Sequence, residues 1–252
     1  MRVQAIWRHP VKSFQGEPVA EAIVDAEGLR GDRCWGVRDE STGRILTGRR
    51  EPRLLHAAAA IAEDGEVELT LPGGETLRGL GHDTDAELSR WLGKSVTLVR
   101  SVGAPGARAE FFADATDDAS RAIEWTMPPG RFVDAAPLLI VTTASLRAGA
   151  ALHPGGAWEL RRFRPNLLVE VEGEGWVEDA WCGRRLCVGD AAFVPKQPCV
   201  RCTMVTRAQP GLDRDIDLYK TLAQGHGGNF GVWTDVHTGG TVRVGDTVEL
   251  LS

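Results

Sequence analysis

Two cysteines lie three positions apart in the segment Pro198–Met204, which reads PCVRCTM. Cys199 and Cys202 could share a metal, form a redox pair, divide into one ligand and one bystander, or be structural cysteines of the core. Arg201 stands between them, and a nearby guanidinium lowers the pKa of a thiol and so favours the thiolate. A thiolate is a soft ligand that selects thiophilic metals. The segment therefore predicts an activated thiol.

Zinc binding is a competing interpretation, because four cysteines follow one another with the spacing C-x4-C-x11-C-x2-C. Zinc ribbons usually show two tight knuckles, whereas the first pair here is loose. Cys187 also stands in RLCV, which is typical of a strand interior. The six histidines show no metal-binding spacing. Structural zinc is the less favoured alternative; its ligands would be Cys182, Cys187, Cys199 and Cys202.

Arginine and lysine recur in uncharged or turn-rich segments of the chain. Arginine suits phosphate because its planar fork donates to two oxygens at once. Neutral hydroxyl and amide groups could add hydrogen bonds, although a solvated surface position is the ordinary alternative for any single cation. The pattern predicts an anion pocket. Its candidate residues are Lys12, Ser13, Arg33, Arg49, Thr142, Thr143, Ser145, Arg161, Arg162, Arg164 and Asn166.

Composition excludes several classes of protein. The chain has 252 residues and 42% hydrophobic residues, so it can bury a core. A net charge of −6 argues against broad nucleic-acid binding, which requires a basic surface. No apolar run reaches the ~18–20 residues that span a bilayer, and the N-terminus has no secretory pattern. Five cysteines, an odd number, favour reduced thiols and a cytoplasmic protein.

Short alternating segments separated by glycine-rich turns predict a β-rich α+β fold without regular βαβ units. A helix is expected over residues 85–92, with Thr84 and Glu87 as a capping box and Gly93 as its end. A second helix is expected over 217–223, and a soft domain boundary within 101–133. The predicted strands include 3–7, 20–24, 34–38, 66–71, 75–78, 95–100, 137–141, 166–171, 191–194, 203–206, 230–236 and 242–250.

Several ordered motifs make the chain resemble the MOSC family, named for the C-terminal domain of molybdenum-cofactor sulfurases. In layout it is similar to the mitochondrial amidoxime-reducing components and to bacterial MOSC-type hydroxylamine reductases. The resemblance covers nearly the whole chain. The motifs are His9–Ser13, Gly28–Arg33, Leu46–Pro52, Asp134–Pro137, Thr142–Leu146, Arg162–Asn166, Cys199–Cys202 and Val242–Asp246.

The resemblance implies a fold and a cofactor. It places a MOSC N-terminal β-barrel domain at residues 1–110, packed on a MOSC β-barrel domain with a few short helices at 111–252. It also implies a molybdenum cofactor (Mo-molybdopterin) whose metal is bound by one cysteine, matching Cys202. The segment from Thr142 to Ser145 falls beside the cofactor. The residues matching positions that hold its phosphate and pterin are Lys12, Ser13, Arg33, Arg164 and Asn166.

The resemblance further implies an oxidoreductase that reduces small N-hydroxylated compounds. Electrons would come from a separate protein, such as a ferredoxin, a cytochrome or a flavin reductase, because no iron–sulfur domain follows Ser252 and no membrane anchor precedes the first strand. Asp134 is a weak candidate for the general acid, with a supporting loop role as its alternative. A second function stays open, in which Cys202 carries persulfide sulfur or molybdenum cofactor without reductase activity. A sulfur carrier needs the thiol but not Lys12, Arg33 and Arg164 together, so the predicted anion pocket favours the reductase.

Overall fold

The structure, a computed structural model, describes residues 1–101, 106–112, 117 and 119–251. It confirms the expected strand-rich α+β fold. The soft boundary expected within 101–133 lies partly outside the described residues. In chain order the strands are β1 (Arg2–Arg8), β2 (Glu17–Val19), β3 (Glu21–Asp25), β4 (Gly28–Leu29), β5 (Trp35–Asp39), β6 (Ala58–Ile61), β7 (Val67–Thr70), β8 (Thr76–Arg78), β9 (Val96–Arg100), β10 (Arg108–Phe112), β11 (Ala122–Thr126), β12 (Leu138–Thr142), β13 (Leu167–Glu170), β14 (Leu186–Val188), β15 (Ala191–Val200), β16 (Asn229–Thr238), β17 (Gly240–Arg243) and β18 (Val248–Leu250).

Short helices interrupt these strands. None of the helices in the described part of the chain combines the length and apolar character that crossing a bilayer requires. The α-helices are α1 (His82–Leu92), α2 (Thr143–Leu152), α3 (Leu160–Phe163) and α4 (Ile216–His226), and single 3₁₀ turns cover Pro52–His56, Val177–Trp181 and Thr203–Thr206.

The chain divides into two compact units, each built from separated segments. The larger unit comprises Met1–Trp7, Pro18–Arg30 and Ala136–Ser252, and the smaller unit comprises Arg8–Glu17 and Gly31–Ala135. Compact units in space differ from domains along the sequence, so the boundary at residue 110 and the two barrels stay predictions.

An eight-stranded sheet organises the larger unit, in the order β18-β14-β15-β16-β12-β13-β1-β2. Strand β12 lies between β16 and β13, antiparallel to the first and parallel to the second. All five residues of β12 are buried, as a continuous apolar run predicts for a central strand. Strand β15 pairs with β16 as far as Val200 opposite Asn229, which delivers the cysteine segment to the end of a long hairpin.

Two local predictions in the larger unit are wrong, and one is confirmed. Residues 203–206 form a 3₁₀ turn rather than a strand. The strand expected over 242–250 is interrupted, because the chain turns between β17 and β18, with Gly245 at a φ of 94°. The helix expected over 217–223 exists and is longer, running from its Asp215 N-cap to a left-handed Gly227.

The smaller unit contains the pair β5-β9, the pair β10-β11 and the sheet β6-β7-β8. The hairpin expected from 66–71 and 75–78 is confirmed as β7 and β8. Helix α1 ends at Gly93 as predicted, but its capping box is wrong. Gly81 is the N-cap, and Thr84 lies buried inside the helix with its hydroxyl donating to the carbonyl of Arg78. The Thr84 hydroxyl is therefore used by the carbonyl of Arg78, and the helix starts two residues before Thr84.

Candidate cofactor site

The cysteine segment separates its two sulfurs by burial. Cys199 is 2% exposed and belongs to an apolar cluster of the larger unit. Arg201 is also buried, and its Nη1 donates to Cys199 Sγ over 3.0 Å while its Nη2 donates to the carbonyl of Phe163 over 2.8 Å. The guanidinium expected to activate a thiol therefore contacts Cys199, the cysteine that resemblance makes the bystander.

Cys202 is half-buried and begins the 3₁₀ turn Thr203–Thr206 with extended backbone angles, φ −126° and ψ 178°. Among the described residues, none hydrogen-bonds to its sulfur. Two neighbouring atoms, Arg201 Nε and Thr203 Oγ1, are buried and likewise lack a hydrogen-bond partner within the described chain. Cys202 thus offers a sulfur that a ligand can reach, beside polar groups still to be satisfied.

The cysteines do not assemble into a multi-ligand metal site. No group of three or more His, Cys, Asp or Glu side chains placed to hold a metal occurs in the described ranges. Cys187 lies in β14, opposite Ala192 of β15, where its strand position was expected. The four thiols of the zinc interpretation therefore do not form one cluster.

A second set of polar side chains lies in the smaller unit. Lys12 Nζ donates to Asp134 Oδ1 over 2.7 Å and to the carbonyl of Phe132 over 2.8 Å. Arg49 Nη2 donates to the other oxygen of Asp134 over 2.6 Å. Arg33 pairs with the buried Asp32. Lys12 and Arg49 are buried, so the sequence-predicted cations of this unit form a cluster rather than a solvated surface.

The electrostatics of this cluster favour an anion. Burial lowers the pKa of Lys12, and the charges of Arg49 and Arg33 lower it further against the opposing effect of Asp134. Lys12 and Arg49 share the single carboxylate of Asp134, while Arg33 pairs with Asp32. A bound anion would favour the charged form of Lys12 and would be stabilised by it.

Asp134 itself is poorly suited to donate a proton. Burial alone would raise its pKa, but the charges of Arg49 and Lys12 outweigh burial and hold that pKa well below its usual range. The carboxyl is therefore ionised at neutral pH. This environment argues against the general-acid role considered from sequence, and it makes Asp134 the residue that holds two of the cations in place.

Backbone conformation singles out three of the predicted site residues. Within the described residues, the non-glycine residues with left-handed backbone are Ser13 (φ 69°), Arg33 (φ 50°) and Arg164 (φ 57°). This region costs an L-residue about 1–2 kcal/mol and is seldom occupied by serine or arginine. Strain of this kind concentrates at functional sites, where the surrounding structure maintains it. All three residues were assigned to phosphate or pterin binding by resemblance.

Each strained residue lies at a defined turn. Ser13 is buried, and its Oγ accepts a hydrogen bond from the backbone N–H of Gly48 over 2.8 Å. Arg164 is also buried and ends α3, where its backbone N–H donates to the carbonyl of Leu160 over 2.7 Å. The strain therefore sits where a tight turn aims a polar or charged side chain.

Arg162 serves a different purpose from the one expected. It is 1% exposed, and burial lowers its pKa. Its guanidinium donates to backbone carbonyls of four residues, two of which belong to or directly follow the turn after Cys202. This arrangement supports the cysteine segment and engages the donors that cofactor binding would need. The accepting carbonyls are those of Ala157, Val205, Arg207 and Asp213.

Sequence reasoning missed Glu178, which lies in a 3₁₀ turn of the larger unit and is 1% exposed. Thr142 Oγ1 donates to its carboxyl over 2.7 Å, and Ser145 Oγ donates over 2.6 Å. Burial raises the pKa of Glu178. Two residues predicted to face a cofactor therefore direct their hydroxyl groups to a buried carboxyl. A lone glutamate in VEDAW gives no sequence signal, because only the fold brings it to α2.

The remaining three candidates also bond within the larger unit. Arg161 donates to the carboxylate of Glu159 through Nη2, over 2.8 Å, and to the carbonyl of Pro210 through Nη1, over 2.7 Å. Thr143 Oγ1 donates to the carbonyl of Val171 over 3.2 Å. Asn166 accepts from the N–H of Leu139 through Oδ1, over 3.1 Å, and donates to the carbonyl of Trp7 through Nδ2. Asn166 thus joins the start of β12 to β1. Its described contacts are structural.

Two family models cover this chain: the MOSC N-terminal beta barrel domain matches residues 1–115, and the MOSC domain matches residues 128–249. The chain belongs to the family of proteins that carry these two MOSC domains in this order.

Named relatives are similar over nearly the whole chain. Human mitochondrial amidoxime reducing component 2 is 28% identical over 98% of this chain and 82% of its own length. Human mitochondrial amidoxime-reducing component 1 is 27% identical over 99% of this chain and 82% of its own length. The YUAD protein from Bacillus subtilis aligns in structure with a TM-score of 0.49 and 13% identity, over 99% of this chain and 94% of that chain.

Proposed function

We propose that this protein is a molybdenum-cofactor-dependent reductase of small N-hydroxylated compounds. The observation that carries this assignment is the coincidence of left-handed backbone with Ser13, Arg33 and Arg164, three of the residues expected to hold the cofactor. Relatives named for amidoxime reduction, similar over 98–99% of the chain, support the same assignment. A half-buried Cys202 sulfur supplies the soft ligand that such a metal requires.

The chain's own residues would divide the work of binding. Cys202 would bind molybdenum as a thiolate, held in place by the turn that Arg162 supports through the carbonyls of Val205 and Arg207. Lys12, Arg33 and Arg49 would bind an anionic group through charged hydrogen bonds. When bound, the cofactor supplies a two-electron redox centre, while the protein supplies position and charge.

The overall reaction fixes what must be supplied. An N-hydroxylated substrate R–NH–OH takes two electrons and two protons and gives R–NH2 and water, as the N–O bond breaks. Asp134 is held ionised by Lys12 and Arg49, so we assign it to holding the cations and take the protons from solvent. Electrons would come from a separate donor protein in the cytoplasm, such as a ferredoxin, a cytochrome or a flavin reductase.

A sulfur or cofactor carrier is the alternative. A persulfide carrier needs a reachable thiol, which Cys202 provides, but it has no need for the buried cation cluster around Lys12. The convergence of Lys12 and Arg49 on one carboxylate therefore favours the reductase.

Metal analysis of the purified protein tests the proposal. Wild type should contain molybdenum rather than zinc and should reduce benzamidoxime with reduced viologen as the electron source. Cys202→Ser should lose molybdenum and activity. Cys199→Ser is the matched control and should keep most of both, because Cys199 faces the core beside Arg201. Equal loss in the two variants would point to a shared dithiol site, and zinc without molybdenum would refute the cofactor assignment.

A further inference from the structure

The cysteine segment has two faces. Cys199 and Arg201 point inward and are joined by the 3.0 Å contact between Arg201 Nη1 and Cys199 Sγ. Val200 pairs with Asn229 as the last residue of β15, and Cys202 also has extended backbone angles. Side chains two apart along an extended chain share one face, at a separation of about 6.5 Å. Pairing with β16 is irregular between Pro198 and Val200, so burial assigns the faces. Cys199 and Arg201 face the core, whereas Val200 and Cys202 lie on the more exposed side.

Exposure along the segment follows this alternation. Cys199 and Arg201 are buried, Cys202 is half-buried, and Val200 is 57% exposed, the highest value among the large hydrophobic residues recorded as exposed. An apolar side chain so exposed loses the stabilisation of burial, about 1.5–3 kcal/mol for a whole valine side chain. The residue lies two positions from the proposed metal ligand, so an apolar group bound at that ligand would cover it.

We propose that Val200 is a specificity-determining residue that contacts the apolar part of the substrate. This inference rests on the proposed reductase function and deepens it. Val200 would favour amidoximes and hydroxylamines that carry an aromatic or branched aliphatic group over hydroxylamine itself, which has no carbon substituent. The contact is made by the side chain and involves no proton or electron transfer.

Val200→Thr keeps the shape of the side chain and adds a hydroxyl group. We expect kcat/KM for benzamidoxime to fall about tenfold, mainly through KM, because a small apolar contact discriminates by roughly that factor. For hydroxylamine, kcat/KM should change less than twofold. Calorimetric titration of the oxidised holoprotein with benzamidoxime should show a similar loss of affinity. Val244→Thr is the matched control, since Val244 is an exposed valine (47%) far along the chain from Cys202.

The outcomes separate this inference from the function on which it rests. If Val200→Thr lowers kcat/KM equally for both substrates, or for neither, Val200 does not select substrates, although the proposed reductase function stands. The same holds if Val244→Thr reproduces its effect. Val200→Leu, which extends the apolar surface, should lower the KM for benzamidoxime. An equal rise of kcat/KM for both substrates would also refute the contact. If wild type reduces neither substrate, the reductase itself is refuted and this inference falls with it.

Discussion

Replacing Arg164 by glycine and by alanine separates the cost of its backbone from the use of its side chain. Arg164 has φ 57° and ψ 47°, in the left-handed region. Both variants remove the guanidinium, so every lost side-chain contact is common to the pair. Only alanine keeps a Cβ, which must then occupy the strained conformation. The difference in stability between the variants therefore reports backbone effects and not the loss of side-chain contacts.

The size of that difference follows from two opposing effects. Relief of left-handed strain favours glycine by about 1–2 kcal/mol. The greater freedom of glycine in the unfolded chain disfavours it by roughly 0.5–1 kcal/mol. At the middle of these ranges, Arg164→Gly should therefore be more stable than Arg164→Ala by about 0.75 kcal/mol, within outer limits of about 0 and 1.5 kcal/mol. For a chain of this size, that corresponds to a Tm higher by roughly 1–4 °C.

Thermal melts of the cofactor-free variants measure this difference, and metal analysis of both measures cofactor retention. Retention should fall about ten- to hundredfold in both, because a charged hydrogen bond contributes roughly 1.5–3 kcal/mol. Ala86→Gly, at an exposed position inside α1, is the control for glycine itself and should lower the stability by about 1 kcal/mol. An alanine variant as stable as the glycine variant would refute the strain, and full molybdenum content in both would refute cofactor binding by Arg164.

Three further predictions concern charge. Asp134→Asn should destabilise the cofactor-free protein by roughly 1–3 kcal/mol. Because the folded pKa of Asp134 is depressed, wild type should lose stability as pH falls below about 4, and the variant should lose less. Acid unfolding that is the same in both proteins would contradict the ion pairs. Because the folded pKa of Glu178 is raised, wild type should lose stability as pH rises from about 4.3 through the folded pKa. Glu178→Gln should remove this pH dependence of the free energy of unfolding, measured by equilibrium unfolding across pH. The net charge of −6 predicts an electron-donor protein with a basic docking surface. The reduction rate with that donor should therefore fall as salt is raised, while the rate with reduced viologen changes little. Turnover with NADPH and no partner protein would show that a nucleotide site was missed.

Sequence patterns predicted the strands and helix ends that depend on local chemistry. The buried run of β12 and the hairpin of β7 and β8 follow from apolar content and alternation, and Gly93 ends α1 because glycine accepts a left-handed cap. The patterns failed where tertiary contacts decide. Residues 203–206 look like a strand but turn instead, because Arg162, distant in sequence, binds the carbonyls that follow Cys202.

The candidate site shows the same division between residue type and environment. Sequence reasoning singled out both cysteines and the cations, but it could not tell which sulfur Arg201 contacts, and it expected Arg162, which donates to backbone carbonyls, to bind the cofactor. Which sulfur the guanidinium contacts depends on which side chains of the segment face the core, and Cys199 and Arg201 are the two buried ones. The role of Glu178 could not be predicted either, since its partners Thr142 and Ser145 are more than 30 residues away.

An acidic chain can hold an anion when its cations are buried together and its carboxylates are spread. The net charge of −6 is a sum over the whole chain, whereas Lys12 and Arg49 converge on the single carboxylate of Asp134, and the charge of Arg33 also acts on Lys12. Asp134 makes such a cluster tolerable before any ligand binds, because it neutralises part of the buried charge. The same carboxylate must weaken the attraction of the cluster for an anion, so stability without ligand and affinity for ligand oppose each other at this residue.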